Sequence, residues 1–207
     1  MKPNHTLLMN PGVLLLLLGL LVIPAGAAET VPLDEGWNLF STPVTLQPGQ
    51  DTFSAIFAGG RGENLSIILT WDEGMWVIPG TGYHVGPLEA FYIKNNGQAE
   101  AVLVPSTSPA PPPSRELVAG LNLFGPAPPY ENSTFISQTV EESLITVEEL
   151  PGGLPGYTMV ISPGLGQPGW VYTRGMPDRD FLPYKGYWVI MENPGEVAGF
   201  SSTPLPE

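Results

Sequence analysis

Leu33-Asp34-Glu35-Gly36-Trp37-Asn38-Leu39-Phe40 returns further along the chain as Leu117-Val118-Ala119-Gly120-Leu121-Asn122-Leu123-Phe124. The shared frame is a leucine, a glycine and an Asn-Leu-Phe run. The correspondence then continues. Thr52-Phe53 is matched by Thr134-Phe135, Trp76-Val77 by Trp170-Val171, and Ala90-Phe91-Tyr92-Ile93 by Gly186-Tyr187-Trp188-Val189. Spacing between partners widens along the unit, so the second copy carries insertions. Repetition on this scale marks one folding unit written twice.

Within the first copy, Trp37 to Ser41 alternates like a strand and stops before Pro43. Asp51 to Ala58 places Phe53, Ile56 and Phe57 on one helical face, with Asp51 as the expected N-cap and Gly59-Gly60 as the stop. Apolar-rich strands follow at 65–71, 75–78, 90–94 and 101–104. Asp72-Glu73-Gly74 and Asn95-Asn96-Gly97 supply the turns. The second copy predicts strands at 121–124, 157–161, 169–173, 187–191 and 197–201. Its helical stretch opens at Ser133-Thr134-Phe135-Ile136, with Val140 to Leu144 as a continuation. Short strands with close turn signals predict a mainly β protein: two tandem sandwich- or barrel-like repeats, each with one short helix.

The chain has 207 residues, including 25 Gly, 25 Pro and no Cys. That excess of chain breakers argues against long helices, and the missing cysteines exclude disulfides and thiolate sites. Twenty acids against seven bases give a net charge of −13, which argues against a nucleic-acid surface. The N-terminus carries Lys2, an uncharged run from Val13 to Ile23, then Pro24 and Ala25-Gly26-Ala27. That order predicts an export signal over 1–28, cut near Ala27 or Ala28, with a retained N-terminal anchor as the alternative. The expected location is therefore extracellular, at the cell surface, with no membrane span after cleavage. The expected divisions are repeat 1 over 29–105, a Pro-rich linker over 106–114 and repeat 2 over 115–207. Ser106-Thr107-Ser108-Pro109-Ala110-Pro111-Pro112-Pro113-Ser114 favours polyproline geometry, about 25 Å long at ~3.1 Å per residue. A loop pinned across one fused domain is the alternative.

A Gly-Trp-Asn-Leu opening (Gly36-Trp37-Asn38-Leu39), a short helix and a closing Gly-Tyr-Trp strand (Gly186-Tyr187-Trp188) resemble the GWNL-type repeats of secreted and cell-surface proteins in archaea and bacteria. The second copy departs from that pattern at Leu121, and the first at Ala90-Phe91-Tyr92. The resemblance implies a surface location and a structural or adhesive role.

No catalytic set is visible. His84 is the one histidine beyond the leader, and no G-x-S-x-G elbow or His-Glu cluster accompanies it. Asp72-Glu73, Glu141-Glu142, Glu148-Glu149 and Asp178/Asp180 read as turn or helix-surface acids, and none has the spacing of a calcium loop. No cofactor or metal is expected. Asn64-Leu65-Ser66 and Asn132-Ser133-Thr134 are candidate glycosylation sequons. The aromatics divide by repetition. Trp37/Leu121, Phe40/Phe124, Trp76/Trp170 and Tyr92/Trp188 are expected in the core, because both copies stay bulky there. Trp71, Tyr83, Tyr130 and Tyr184 lack twins and are the candidate binding residues. Two functions follow. The first is a non-enzymatic structural or adhesive surface protein that packs with itself or neighbouring surface proteins. The second is a module binding carbohydrate or another ligand through exposed aromatics, favoured if Trp71, Tyr83 and Tyr184 share one exposed face.

Overall fold

The computed structural model describes residues 28–108, 112–127, 138–165 and 168–199. The expected signal, Asn132, Tyr130 and the Ser133–Ile136 helical opening lie outside them. The first half contains β1 (Glu29–Leu33), β2 (Gly36–Ser41), α1 (Phe53–Ile56), β3 (Leu65–Asp72), β4 (Met75–Val77), β5 (Ala90–Asn95) and β6 (Ala99–Leu103). The second contains β7 (Ser114–Leu117), β8 (Gly120–Phe124), β9 (Gln138–Thr139), α2 (Val140–Ser143), a 3-10 turn (Ile145–Val147), β10 (Glu149–Leu150), β11 (Leu154–Pro155), β12 (Tyr157–Ser162), β13 (Trp170–Thr173), β14 (Asp180–Phe181), β15 (Tyr187–Met191) and β16 (Gly195–Ala198).

The fold is mainly β, built on two similar antiparallel sheets ordered β2-β5-β3-β4 and β8-β15-β12-β13. Each half adds a two-stranded sheet, β1-β6 or β7-β16. The two layers of the first half enclose Val31, Leu33, Phe40, Phe91, Ile93, Ala101 and Leu103, with Phe53 and Ile56 of α1 closing one side. Those of the second enclose Leu117, Phe124, Val160, Tyr187, Val189 and Val197 beneath Val140 of α2. These are sandwich-like packings; no closed barrel forms among the described residues.

The repeated octapeptide is a clamp. Gly36 and Gly120 both hold φ +95, a conformation that glycine adopts without the Cβ penalty of other residues. The Asn38 amide then bridges the turn: Nδ2 donates to the Asp34 carbonyl at 2.8 Å and Oδ1 accepts from Asp34 N at 3.0 Å. Asn122 does the same with Val118, at 2.7 and 3.0 Å. The turn and its buried asparagine explain why Gly-x-Asn persists while Trp37 and Leu121 differ.

Register extends the equivalence and corrects two sequence pairings. Leu69 faces Tyr92 and Ile161 faces Trp188, so Leu69 matches Ile161 and Thr70 matches Ser162. Thr70 pairs with Val77, and Ser162 with Trp170. Trp170 therefore matches Val77, and Trp76 matches Gly169. A one-residue slip reverses the face of a strand residue: Trp170 stacks on Tyr187 against the second core, whereas Trp76 points away from the first. The helix caps differ too. Thr52, and not Asp51, caps α1 by accepting from Ala55 N. Its structural partner is Thr139, which forms a capping box with Glu142; Thr134 lies outside the described residues.

The halves interlock. Leu88 and Tyr184 occupy corresponding positions and share positive φ, 59 and 58. Leu88 is buried in the core of the second half, while Tyr184 packs against that of the first. Backbone bonds join them: Ser41 N donates to the Tyr184 carbonyl at 2.8 Å, and Gly125 N to the Leu88 carbonyl at 2.9 Å. The junction leaves no room for side chains. A Cβ on Gly125 would lie 2.5 Å from that of Ser41, and one on Gly186 2.7 Å from that of Ala90.

Candidate functional site

Alternation along β2 and β5 sends Phe40, Phe91 and Ile93 into the first core and Leu39, Ala90 and Tyr92 to the opposite face. Leu39 and Ala90 meet Leu123 at the junction, and Trp71, Tyr92, Leu165 and Trp188 pack around them. On this outer face the aromatics form a continuous herringbone. Trp71 and Trp76, cross-strand partners on β3 and β4, meet edge to face at 5.3 Å between centroids. Trp188 reaches across from the second half to Trp71 at 5.8 Å and Trp76 at 5.7 Å. Tyr92 touches Trp76 at 5.5 Å and Trp37 at 6.3 Å. Such edge-to-face contacts contribute roughly 0.5–1.5 kcal/mol per pair beyond area burial.

Two members are anchored by polar bonds. The Trp71 indole N–H donates to the Leu121 carbonyl at 3.0 Å, and that of Trp188 to the Tyr92 hydroxyl at 2.9 Å. Burial holds the Tyr92 phenol above its ordinary pKa, so it stays protonated in neutral solution. With Trp71, Tyr92 and Trp188 half-buried and fixed, Trp37 and Trp76 stand out at 41% and 50% exposure. The Lys94 ammonium sits 5.9 Å from the Trp37 ring centre. The patch thus offers preset aromatic surface and one exposed cation, at low ordering cost.

This arrangement overturns the expectation that Trp37, Leu121 and Trp76 are core. Leu121 is 38% exposed as well. Phe40 and Phe124 are buried as expected, and Tyr92 and Trp188 are half-buried between the halves. Repetition identified bulky positions but not which face they occupy.

Of the candidate binding residues, Trp71 belongs to the patch. Tyr83 and Tyr184 lie elsewhere, against the first core, so the three do not share one exposed face. Tyr83 stacks on Phe53 and donates its hydroxyl to Glu89 at 2.9 Å. Burial, reinforced by the Glu89 carboxylate, raises its pKa to about 12. Arg115 lies in the same region and donates to the Leu88 carbonyl at 3.1 Å. Asn64 is exposed, with its side-chain nitrogen bonded to the Gln98 carbonyl at 2.7 Å. His84 faces Asp51 at 2.9 Å on the surface. Among the described residues no group of three or more His, Asp or Glu side chains could hold a metal, and no helix is long and apolar enough to cross a membrane.

Comparison with protein-family models, curated proteins and solved structures yields no match to this chain.

Proposed function

We propose that the protein is a non-enzymatic ligand-binding module that engages carbohydrate through the aromatic face of its first half. The observation that carries this reading is the contrast between equivalent faces. Trp37, Trp71 and Trp76 correspond to Leu121, Pro163 and Gly169 in the second half, so the fold itself does not require those rings. Exposed, rigid, amphipathic rings suit the apolar faces of sugars, and Lys94 adds a hydrogen-bond donor beside Trp37. The leader sequence supports an extracellular setting, where glycans are abundant.

Glycan-array screening followed by titration tests the proposal. The Trp37→Ala/Trp76→Ala variant should fold and lose binding, while Val171→Ala on the second half should retain it. Binding that survives the double variant would place the site elsewhere.

A structural or adhesive surface role is the second reading, in keeping with the GWNL-type resemblance. Its specific support is the exposure of Leu121 and Val171 on the second half, which gives that half apolar surface for contact with neighbouring molecules. Polymers of the purified chain in the electron microscope, without any sugar binding, would favour it.

A further inference from the structure

A second feature separates the halves, away from the aromatic patch. In the second half, β13 runs along β12 from Ser162 to Met159. Its Tyr172 is fully buried in the core, and the phenol donates to Glu141 of α2 at 2.7 Å. In the first half, β4 covers β3 only from Asp72 to Thr70. Continuing the register places Pro79 at the position of Tyr172. Proline has no N–H for the ladder and ends the pairing there.

Two consequences are visible. Residues 66–69 of β3 have no strand on that side among the described residues. Where Tyr172 fills the second half, the first has a groove of about 630 Å³ between α1 and β3, lined by Phe53, Phe57, Leu65, Ile68, Ile78 and Pro79 among others. Ile68 is only half-buried, whereas its equivalent Val160 is 0% exposed. Ile78 is 69% exposed.

We propose that the first half binds an extended segment of a partner protein, which adds a strand along 66–69 of β3 and places an aromatic side chain beside α1. The second half supplies the template, because β13 does this within the chain. Backbone pairing would give affinity and the groove would select the side chain. The groove also includes Glu63, and the chain carries 20 acids against seven bases. The fitting segment is therefore apolar and neutral or basic.

The probe is a synthetic peptide of residues 169–175, Gly-Trp-Val-Tyr-Thr-Arg-Gly, titrated into the full chain. It should bind and slow hydrogen exchange at the amides of 66–69. Replacing its tyrosine by alanine should weaken binding roughly tenfold or more. In the protein, Pro79→Tyr should fill the groove from within, raise the melting temperature and abolish peptide binding. Absence of protection at 66–69 in the unaltered chain overturns the proposal, as does undiminished peptide binding by a folded Pro79→Tyr variant. A dimer of the unaltered chain that Pro79→Tyr dissolves would also overturn it, assigning the groove to a second copy.

Discussion

The two halves share a clamp, a strand order and a pair of exchanged side chains, yet differ on both surfaces where a ligand could sit. The second half is finished: Tyr172 fills its flank, and Pro163 and Gly169 replace rings on its outer face. The first is open, with a groove beside α1 and a herringbone of indoles on its sheet. The clamp and the strand order are common to both halves, whereas the differences are the buried Tyr172 of the second half and the exposed Trp37 and Trp76 of the first.

The strongest test of that shared core is Leu88→Ala. Leu88 belongs by sequence to the first half but is buried in the second, and losing a buried leucine costs about 2–5 kcal/mol. Urea denaturation should show the loss in a transition reported by the second half. A loss confined to the first half would break the interlocked description.

A finer test compares the clamps. Asn38→Ala and Asn122→Ala should each cost about 1–3 kcal/mol, since each leaves turn groups unbonded. The Asn95 side chain also donates to the Asp34 carbonyl, at 3.1 Å, whereas its equivalent in the second half is Met191. Asn38→Ala should therefore be the milder change in thermal denaturation. Equal or reversed costs would remove Asn95 from the clamp.

The smallest effect concerns His84 and Asp51, whose equivalents Asp180 and Gln138 cannot form the same pair. The hydrogen bond from His84 holds the Asp51 carboxyl below its ordinary pKa of about 3.9. A depressed folded pKa stabilises the protein above about pH 4, and that contribution fades as pH falls through the folded value. In stability-against-pH curves Asp51→Asn should therefore lie slightly below the unaltered chain at neutral pH and converge with it as pH falls through the folded pKa; curves that stay superimposed throughout would remove the pair from the stability of the fold.

Much of the scaffold was legible because strands and turns are local. Asp72-Glu73-Gly74 is the β3–β4 connection, and Glu73 and Gly74 take the positive φ values, 45 and 82, that a tight hairpin needs. Strand β1 is legible only through its pairing with β6, because Pro32 and Glu29 obscure its local pattern. Trp76 and Trp170 share identity but not register, and a single-residue slip exchanges core for surface. The swap of Leu88 and Tyr184 depends on contacts between distant segments, which no local spacing encodes. The aromatic patch was half legible: the unmatched Trp71 marked it, but Trp37 and Trp76 looked like core because bulky residues follow the same motif in the other copy.

On the proposed reading, ligand meets the exposed indoles Trp37 and Trp76 of the first half and not the packed Trp170 of the second. The chain has five tryptophans, each with one indole N–H signal in a nitrogen-15 correlation spectrum. Titrating the oligosaccharide found by array should shift the Trp37 and Trp76 signals and leave that of Trp170 in place. Saturable binding with Trp37 and Trp76 unmoved would place the sugar elsewhere on the molecule.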